Sequence, residues 1–285
     1  MQEAALFALS LQLHARVFDL AIIEYLYFHW TASLFPARTS LVLHAHELLS
    51  RRTAEFARCG RSVLIPITQE EERRILSQFE RVVFAQCEEA EIAAGWIGKE
   101  RCLVCPHPVA QETPIAVKDT VSAIRFLGSS AWPNVDGLLW FHDRVVPLLG
   151  KLQERCAVQG TITLLSGVEK RCPQLRFEGV TPDLSATYRA TDIAVNPVLY
   201  GSGLKIKTVE ALGYGVPLVT TSVGAQGISQ QAGVSFLTGD TPESFADALC
   251  QLAHSQEKRQ ALSSSAHTYC LSHFTPEACF GALLA

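Results

Sequence analysis

Charge is scarce in this sequence. Only 18% of its 285 residues are Asp, Glu, Lys or Arg, and the net charge is −4. There is no positive surplus to track a phosphate backbone, which excludes nucleic acid as the main partner. Long apolar runs are missing as well. The first apolar stretch is interrupted by His14, Arg16 and Asp19, so neither a cleavable signal nor a spanning helix fits, and the chain is expected in the cytoplasm. The nine cysteines are odd in number and scattered through apolar segments. That argues against a disulfide framework and reads as buried thiols in a reducing compartment. Cys102 and Cys105 form a lone C-x-x-C without the second pair or spaced histidines of a zinc site. Their segment, "RCLVCPHPV", reads as a short strand running into prolines. No P-loop, short-period repeat or low-complexity segment occurs.

What is present is enough apolar side chain, 48% of residues, for two cores. In the second half, strands and helices alternate. "AIRFLGS" (123–129), "TITLLSG" (161–167), "LRFEGV" (175–180), "DIAVNPV" (192–198) and "VPLVTTS" (216–222) read as strands. Residues 133–149 place Val135, Leu138, Leu139, Val145, Val146 and Leu149 on one helical face. "DLSATYRAT" reads as a short helix, "TPESFADALCQLAHS" as the last clear helix, and a final one starts near Thr275. In the first half, residues 18–25, 39–47 and 81–86 read as strands, "SVLIPI" (62–67) as strand or loop, and "QEEERRILSQFE" as an amphipathic helix. This alternation predicts an α/β fold with parallel sheets. Residues 106–119 carry three prolines without periodicity and read as a linker, with a hinge at Pro108–Lys118.

One helix begins oddly. "YGSGLKIKTVEALGYG" puts Lys205 and Lys207 in a first turn, where the helix dipole disfavours cations by about 0.3–1 kcal/mol. Gly201 and Gly203 precede it and follow a buried strand, so the backbone there can turn tightly and admit a ligand. A phosphate or diphosphate at that helix end resolves the conflict; long lysine stems on a solvated helix start are the plainer alternative. The dinucleotide fingerprint is absent, because its third glycine is replaced by Ile206. Glu210 lies two turns after Gly203, on the same face, and can reach ribose hydroxyls. A surface pairing of Glu210 with Lys205 or Lys207 is the competing reading.

These residues resemble a known family. "GSGLKIKTVEALGYGVPLVTTSVGAQG" is similar to the donor segment of the family-4 retaining glycosyltransferases. "FLGSSAWPNVDGLLWF" and "LRFEGVTPDLSATYRATDIAVNP" resemble their first carboxy-domain unit and their base-side segment. "LVLHAHELLSRR" and "VVFAQCEEAEIAAGWIG" resemble parts of the amino-terminal domain. The resemblance implies the GT-B architecture, two Rossmann-like parallel-sheet domains with a cleft between them. It implies residues 1–110 as a partial acceptor-side domain, 111–270 as the donor domain, and 271–285 as a terminal helix packing back toward the first. The donor would be a nucleotide-diphosphate sugar, with retention at the anomeric carbon and neither metal nor other cofactor. Lys205 and the backbone of Gly201, Ser202, Gly203 and Leu204 would meet the diphosphate or sugar, and Glu210 the ribose. Val180 and Gly128 would flank the nucleotide, and His46 would approach the sugar. A glycan or lipid-linked acceptor and contact with a membrane surface go with this reading.

The sequence departs from the family pattern. Ser202 stands where the family has the first Glu of E-x7-E, and Ser129–Asn134 replace its usual Arg and Lys. The first strands of the amino-terminal domain are not found, which implies a truncated sheet that a partner chain could cover. A non-catalytic nucleotide-sugar or partner binder is therefore a second expectation, and a sugar-nucleotide epimerase a third. His44 and His46 form H-x-H on one strand face, but only Glu47 offers a third ligand, so no metal is expected. Glu24 reads as a helix cap, Trp132 and Trp140 as packing groups, and Arg51 and Arg52 as a solvated turn.

Overall fold

The structure, a computed structural model, describes residues 12–13, 16–110 and 113–284. It divides into two compact units. The first comprises the residues through Pro106 together with Ser202–Leu204 and the residues from Ala282; the second comprises His107–Gly201 and Lys205–Gly281.

The first unit holds a four-stranded parallel sheet in simple sequence order, β1 (Leu20–Glu24), β2 (Ser40–His46), β3 (Arg81–Phe84) and β4 (Cys102–Val104). Helices α1 (Leu49–Arg58), α2 (Gln69–Leu76) and α3 (Cys87–Ile97) connect the last three. Its core gathers Leu43, Val82, Phe84, Leu76, Phe79 and Ala93. "SVLIPI" proves to be loop, with Leu64 96% exposed. Helix α2 starts with a reciprocal capping box between Thr68 and Glu71. Helix α1 has no cap of its own and is capped by its neighbour. Glu72 of α2, fully buried, accepts from the Leu49 N–H at 2.7 Å, the Ser50 N–H at 2.9 Å and the Ser50 hydroxyl at 2.5 Å. Burial raises the Glu72 pKa against the lowering effect of these bonds.

The second unit holds a six-stranded parallel sheet. Its strands are β5 (Ile124–Leu127), β6 (Cys156–Gln159), β7 (Arg176–Phe177), β8 (Ile193–Asn196), β9 (Leu218–Thr220) and β10 (Leu237–Thr238), in the order β10-β9-β8-β5-β6-β7. The order reverses between β5 and β8, which creates a switch point at their carboxyl ends, where open α/β sheets bind ligands. The flanking helices are α4 (Trp132–Trp140), α5 (Leu184–Arg189), α6 (Ile206–Gly213), α7 (Pro242–His254), α8 (Gln256–His273) and α9 (Pro276–Leu284). Both units thus have Rossmann-like parallel α/β builds, as the fold-class reading required.

Several expectations change. "TITLLSG" is not a strand: Thr161–Leu164 is a 3-10 turn, and the strand is the preceding Cys156–Gln159. Gly160 ends that strand at φ 106°, where any Cβ would meet the Gly128 carbonyl at 2.3 Å. The helix expected over 133–149 passes into a π turn at Phe141–Val145 and a 3-10 turn at Val146–Leu148, because Pro147 has no N–H to donate. The 18-residue α8 was missed. Its buried face (Arg259, Leu262, Ser263, Ala266, Cys270) is too small and polar to give a periodic apolar signal. Cys59 and Cys87 are exposed, contrary to the reading of all nine thiols as buried. Trp140 packs edge-on against Phe245, whereas Trp132 is 49% exposed.

The proline-rich stretch is tethered along the second unit. Val109 donates to the Phe274 carbonyl at 3.0 Å and Ile115 to the Tyr214 carbonyl at 3.1 Å. The buried Arg259 guanidinium donates to the Lys118 and Asp119 carbonyls and to that of Leu252 near the end of α7. Among the described residues no helix is long and apolar enough to cross a membrane.

The capping of α1 has a measurable consequence. Glu72→Ala strands two backbone donors at a buried helix start, at a cost of about 1–3 kcal/mol. Glu72→Gln, which keeps one acceptor oxygen, should lose less. Urea unfolding of the two variants tests this; equal midpoints for wild type and Glu72→Ala would show that water replaces the carboxylate without loss.

Candidate functional site

The site of the second unit grows from the loops after β5 and β8. The β8 strand ends in the buried Asn196, whose Nδ2 donates to Thr208 Oγ1 of α6 at 2.9 Å; that hydroxyl in turn donates to the Gly224 carbonyl. These bonds fix where α6 starts. Gly201 turns the chain at φ 125° and Gly203 at φ 72°, values in the region that favours glycine. Helix α6 runs from Ile206 with Lys205 as N-cap; no side chain caps it and no acidic residue occupies its first turn. The conflict read from the sequence is therefore present in the structure.

Lys207 occupies the more constrained position of the two lysines. The residue as a whole is only half-buried, but its Nζ is enclosed. It donates to Asn134 Oδ1 at 2.5 Å and lies 4.5 Å from the centroid of the Phe126 ring. Burial, with a smaller contribution from Lys205, lowers its pKa from 10.5 to about 7, against the opposing pull of Glu210. Lys205 Nζ donates to Gln226 Oε1 at 2.9 Å.

The P-N-V-D segment explains how Lys207 is held. Pro133 sits in the first turn of α4, where a missing N–H costs nothing. Asn134 Nδ2 donates to Ser129 Oγ at 2.8 Å and to the Ser129 carbonyl at 3.2 Å, leaving Oδ1 for Lys207. Asp136 accepts from the Tyr200 hydroxyl at 2.6 Å, which ties α4 to the loop after β8. Gly128 lies just beyond β5 with its N–H already donated to the Gln159 carbonyl; a Cβ there would meet the Phe126 ring at 2.7 Å.

Glu210 is not a surface partner of the lysines. It is part-buried, and the Tyr188 hydroxyl donates to its Oε2 at 3.0 Å while the Tyr188 ring stacks on Tyr214 at 4.8 Å. Burial raises the Glu210 pKa, and the Tyr188 bond and the His107 and Lys207 charges pull it back. Val180 follows β7 in a loop and is 51% exposed. That region is braced by buried Arg125, which donates to Glu178 Oε2 at 2.9 Å and Thr191 Oγ1 at 2.5 Å.

Ser202, Gly203 and Leu204 group with the first unit. There Ser202 Oγ donates to a Glu47 carboxylate oxygen, and the Gly203 N–H donates to Glu89 Oε1 at 3.1 Å. The N–H expected to meet an anion meets a carboxylate. His46, the first unit's candidate, ends β2 with φ 63° and contacts Glu24 at 2.6 Å from its Nε2. Glu24 is thus no helix cap. Asn134, Tyr188, Glu24 and Glu89 were not picked out as site residues from the sequence. Their bonds span 20 to 114 residues of sequence, and no local spacing announces such partners.

Residues 122–255 match the model of the family described as glycosyl transferases, group 1. An uncharacterized 44.6 kDa protein in the cps region of Klebsiella pneumoniae is 25% identical over 137 residues, covering 43% of this chain and 35% of that protein. Among solved structures, a mutant of S. aureus TarM in complex with Fondaparinux, alpha-GlcNAc-glycerol and UDP has a TM-score of 0.77 at 12% identity, over 98% of this chain and 58% of TarM. Anabaena HepE in complex with UDP has a TM-score of 0.72 at 14% identity, over 99% of this chain and 81% of HepE. The pneumococcal O-GlcNAc transferase GtfA, in complex with UDP and GlcNAc, has a TM-score of 0.69 at 12% identity, over 99% of this chain and 58% of GtfA. The chain therefore spans little more than half of two of these structures and about a third of the Klebsiella relative. These likenesses establish the fold, that of the GT-B glycosyltransferases.

The buried amine makes stability depend on pH in a defined direction. Folded Lys207 gives up its proton near pH 7 and the unfolded lysine near 10.5. Between those values the unfolded chain binds more protons, so stability rises with pH. Lys207→Met lacks this term. Its thermal midpoint should exceed that of the wild type most at pH 6.5, and the gap should shrink toward pH 9.5. A constant gap would show that Nζ keeps its proton in the folded protein.

Proposed function

We propose that this chain is a retaining glycosyltransferase that takes its sugar from a UDP-sugar and passes it to a hydroxyl of a glycan or lipid-linked acceptor. The observation that carries this reading is the pair of amines at the start of α6, set at the switch point of the sheet inside the segment that the family matches. A diphosphate seated on the Gly201–Lys205 turn supplies the negative charge that this helix start calls for. As the glycosidic bond breaks, the leaving diphosphate gains charge, and the helix amino end, Lys205 and Lys207 stabilise it electrostatically. Glu210, held by Tyr188, accepts from the ribose hydroxyls, and the loop at Val180 flanks the base. The two amines and the helix amino end balance the diphosphate here, so this chemistry calls for no metal. UDP is favoured among the nucleotides because the TarM, HepE and GtfA structures are complexes with it.

Ser202 in place of the family's first Glu favours a second reading, a nucleotide-sugar binder without turnover. Binding and turnover separate the two.

Calorimetric titration with UDP-, GDP- and ADP-sugars is the test. UDP-sugar should bind saturably, and Glu210→Ala should weaken it at least about tenfold, on the scale of a lost charge-assisted hydrogen bond pair. At pH 8 binding should take up a proton, because the diphosphate recharges Lys207; heats measured in buffers of different ionisation enthalpy read this directly. Lys205→Ala should lower kcat more than it weakens the donor. No binding of any sugar nucleotide overturns the proposal. Binding without turnover on any hydroxyl acceptor selects the second reading.

A further inference from the structure

The ends of β1 and β2 bring three metal-ligating side chains together within the first unit. Glu24 and His44 are direct register partners, and His46 follows two residues later across a bulge in the pairing with β3. One carboxylate oxygen and one ring nitrogen from each histidine lie within 4.8 Å of one another. His44 Nδ1 is 3.1 Å from Glu24 Oε2, and His46 Nε2 is 2.6 Å from the same oxygen. The two imidazoles are stacked at 3.8 Å, and Tyr25 stacks on the other face of His46 at 4.2 Å. Tyr25 and His46 are the only non-glycine residues with positive φ among those described. Such backbone costs on the order of 1–3 kcal/mol per residue and persists where packing over-determines it. Glu47, the third ligand expected from the sequence, is instead paired with Arg52 at 2.8 Å.

We propose that Glu24, His44 and His46 bind a divalent cation of the zinc type through one carboxylate oxygen, His44 Nδ1 and His46 Nε2. Two imidazoles and one carboxylate suit Zn2+, Co2+ or Ni2+ and leave coordination positions for water or a hydroxyl. Mg2+ and Ca2+, which require shells of oxygen, are not held. On binding, the ring proton facing Glu24 moves to the other ring nitrogen or, from a charged ring, to solvent. The inference rests on the first unit alone.

The test is titration of the full chain, in a Cys59→Ser/Cys87→Ser background that removes the exposed thiols, with Zn2+ by calorimetry and with Co2+ by its visible absorption. One equivalent should bind, with Co2+ bands of a low-coordinate nitrogen and oxygen site. Glu24→Gln and His44→Gln should each weaken it at least about tenfold. His46→Asn, which keeps a residue tolerant of left-handed backbone, should do the same. Circular dichroism checks that each variant is folded. Absence of saturable binding, or binding unchanged in the folded Glu24→Gln and His44→Gln proteins, overturns the proposal. UDP-sugar titration of Glu24→Gln keeps the two readings distinguishable, since the proposed donor contacts lie on the Gly201–Lys205 turn, α6 and the Val180 loop.

Discussion

Two amines at the positive end of a helix form the constraint around which the second unit is arranged. A helix start already carries about half a positive charge from its unpaired N–H groups. Adding Lys205 and Lys207 without an acidic residue in that turn makes the local field more positive still. The protein meets this partly by giving up charge, since enclosure brings Lys207 to the edge of neutrality at pH 7. The Glu210 charge offsets part of what remains, pulling the Lys207 pKa back up. A helix start with this charge is the feature on which the proposed diphosphate donor rests.

The surrounding residues follow from that constraint. Asn134 gives its amide donors to Ser129 and its oxygen to Lys207, so one side chain both shapes the loop after β5 and steers the amine. Phe126 offers the ring face under Nζ, a favourable contact for a cation that has lost water. Tyr188 commits its hydroxyl to Glu210, which orients the carboxylate. None of these groups is exceptional alone. Together they hold the Lys207 amine and the Glu210 carboxylate in a fixed geometry.

The sequence shows some of this and hides the rest for physical reasons. Strand-helix alternation was readable because buried parallel strands are short, dense apolar runs. The glycines and lysines before α6 were readable because they break local rules at neighbouring positions. The strand Cys156–Gln159 was overlooked in favour of the β-branched run after it; Gly160, with φ 106° and no room for a Cβ beside the Gly128 carbonyl, follows the strand and precedes a 3-10 turn. Helix α8 was hidden because Leu262 is the one large apolar residue on a buried face otherwise made of Arg259, Ser263, Ala266 and Cys270. Lys207 stood in plain view as a first-turn lysine, yet its importance depends on Asn134, 73 residues away.

The first unit shows the same limit more sharply. Alternation alone puts His44 and His46 on one strand face, and a sequence reader then looks nearby for a third ligand and finds Glu47. The register of a parallel sheet supplies a different answer. Glu24 lies opposite His44 on the adjacent strand, while Glu47 is drawn aside by Arg52. The left-handed turns at Tyr25 and His46 then stack three rings against one carboxylate. Sequence spacing identifies which side chains share a face; strand pairing decides which carboxylate completes them. In a cluster this tight a shared cation is a better use of three converging ligand atoms than two imidazoles competing for one carboxylate.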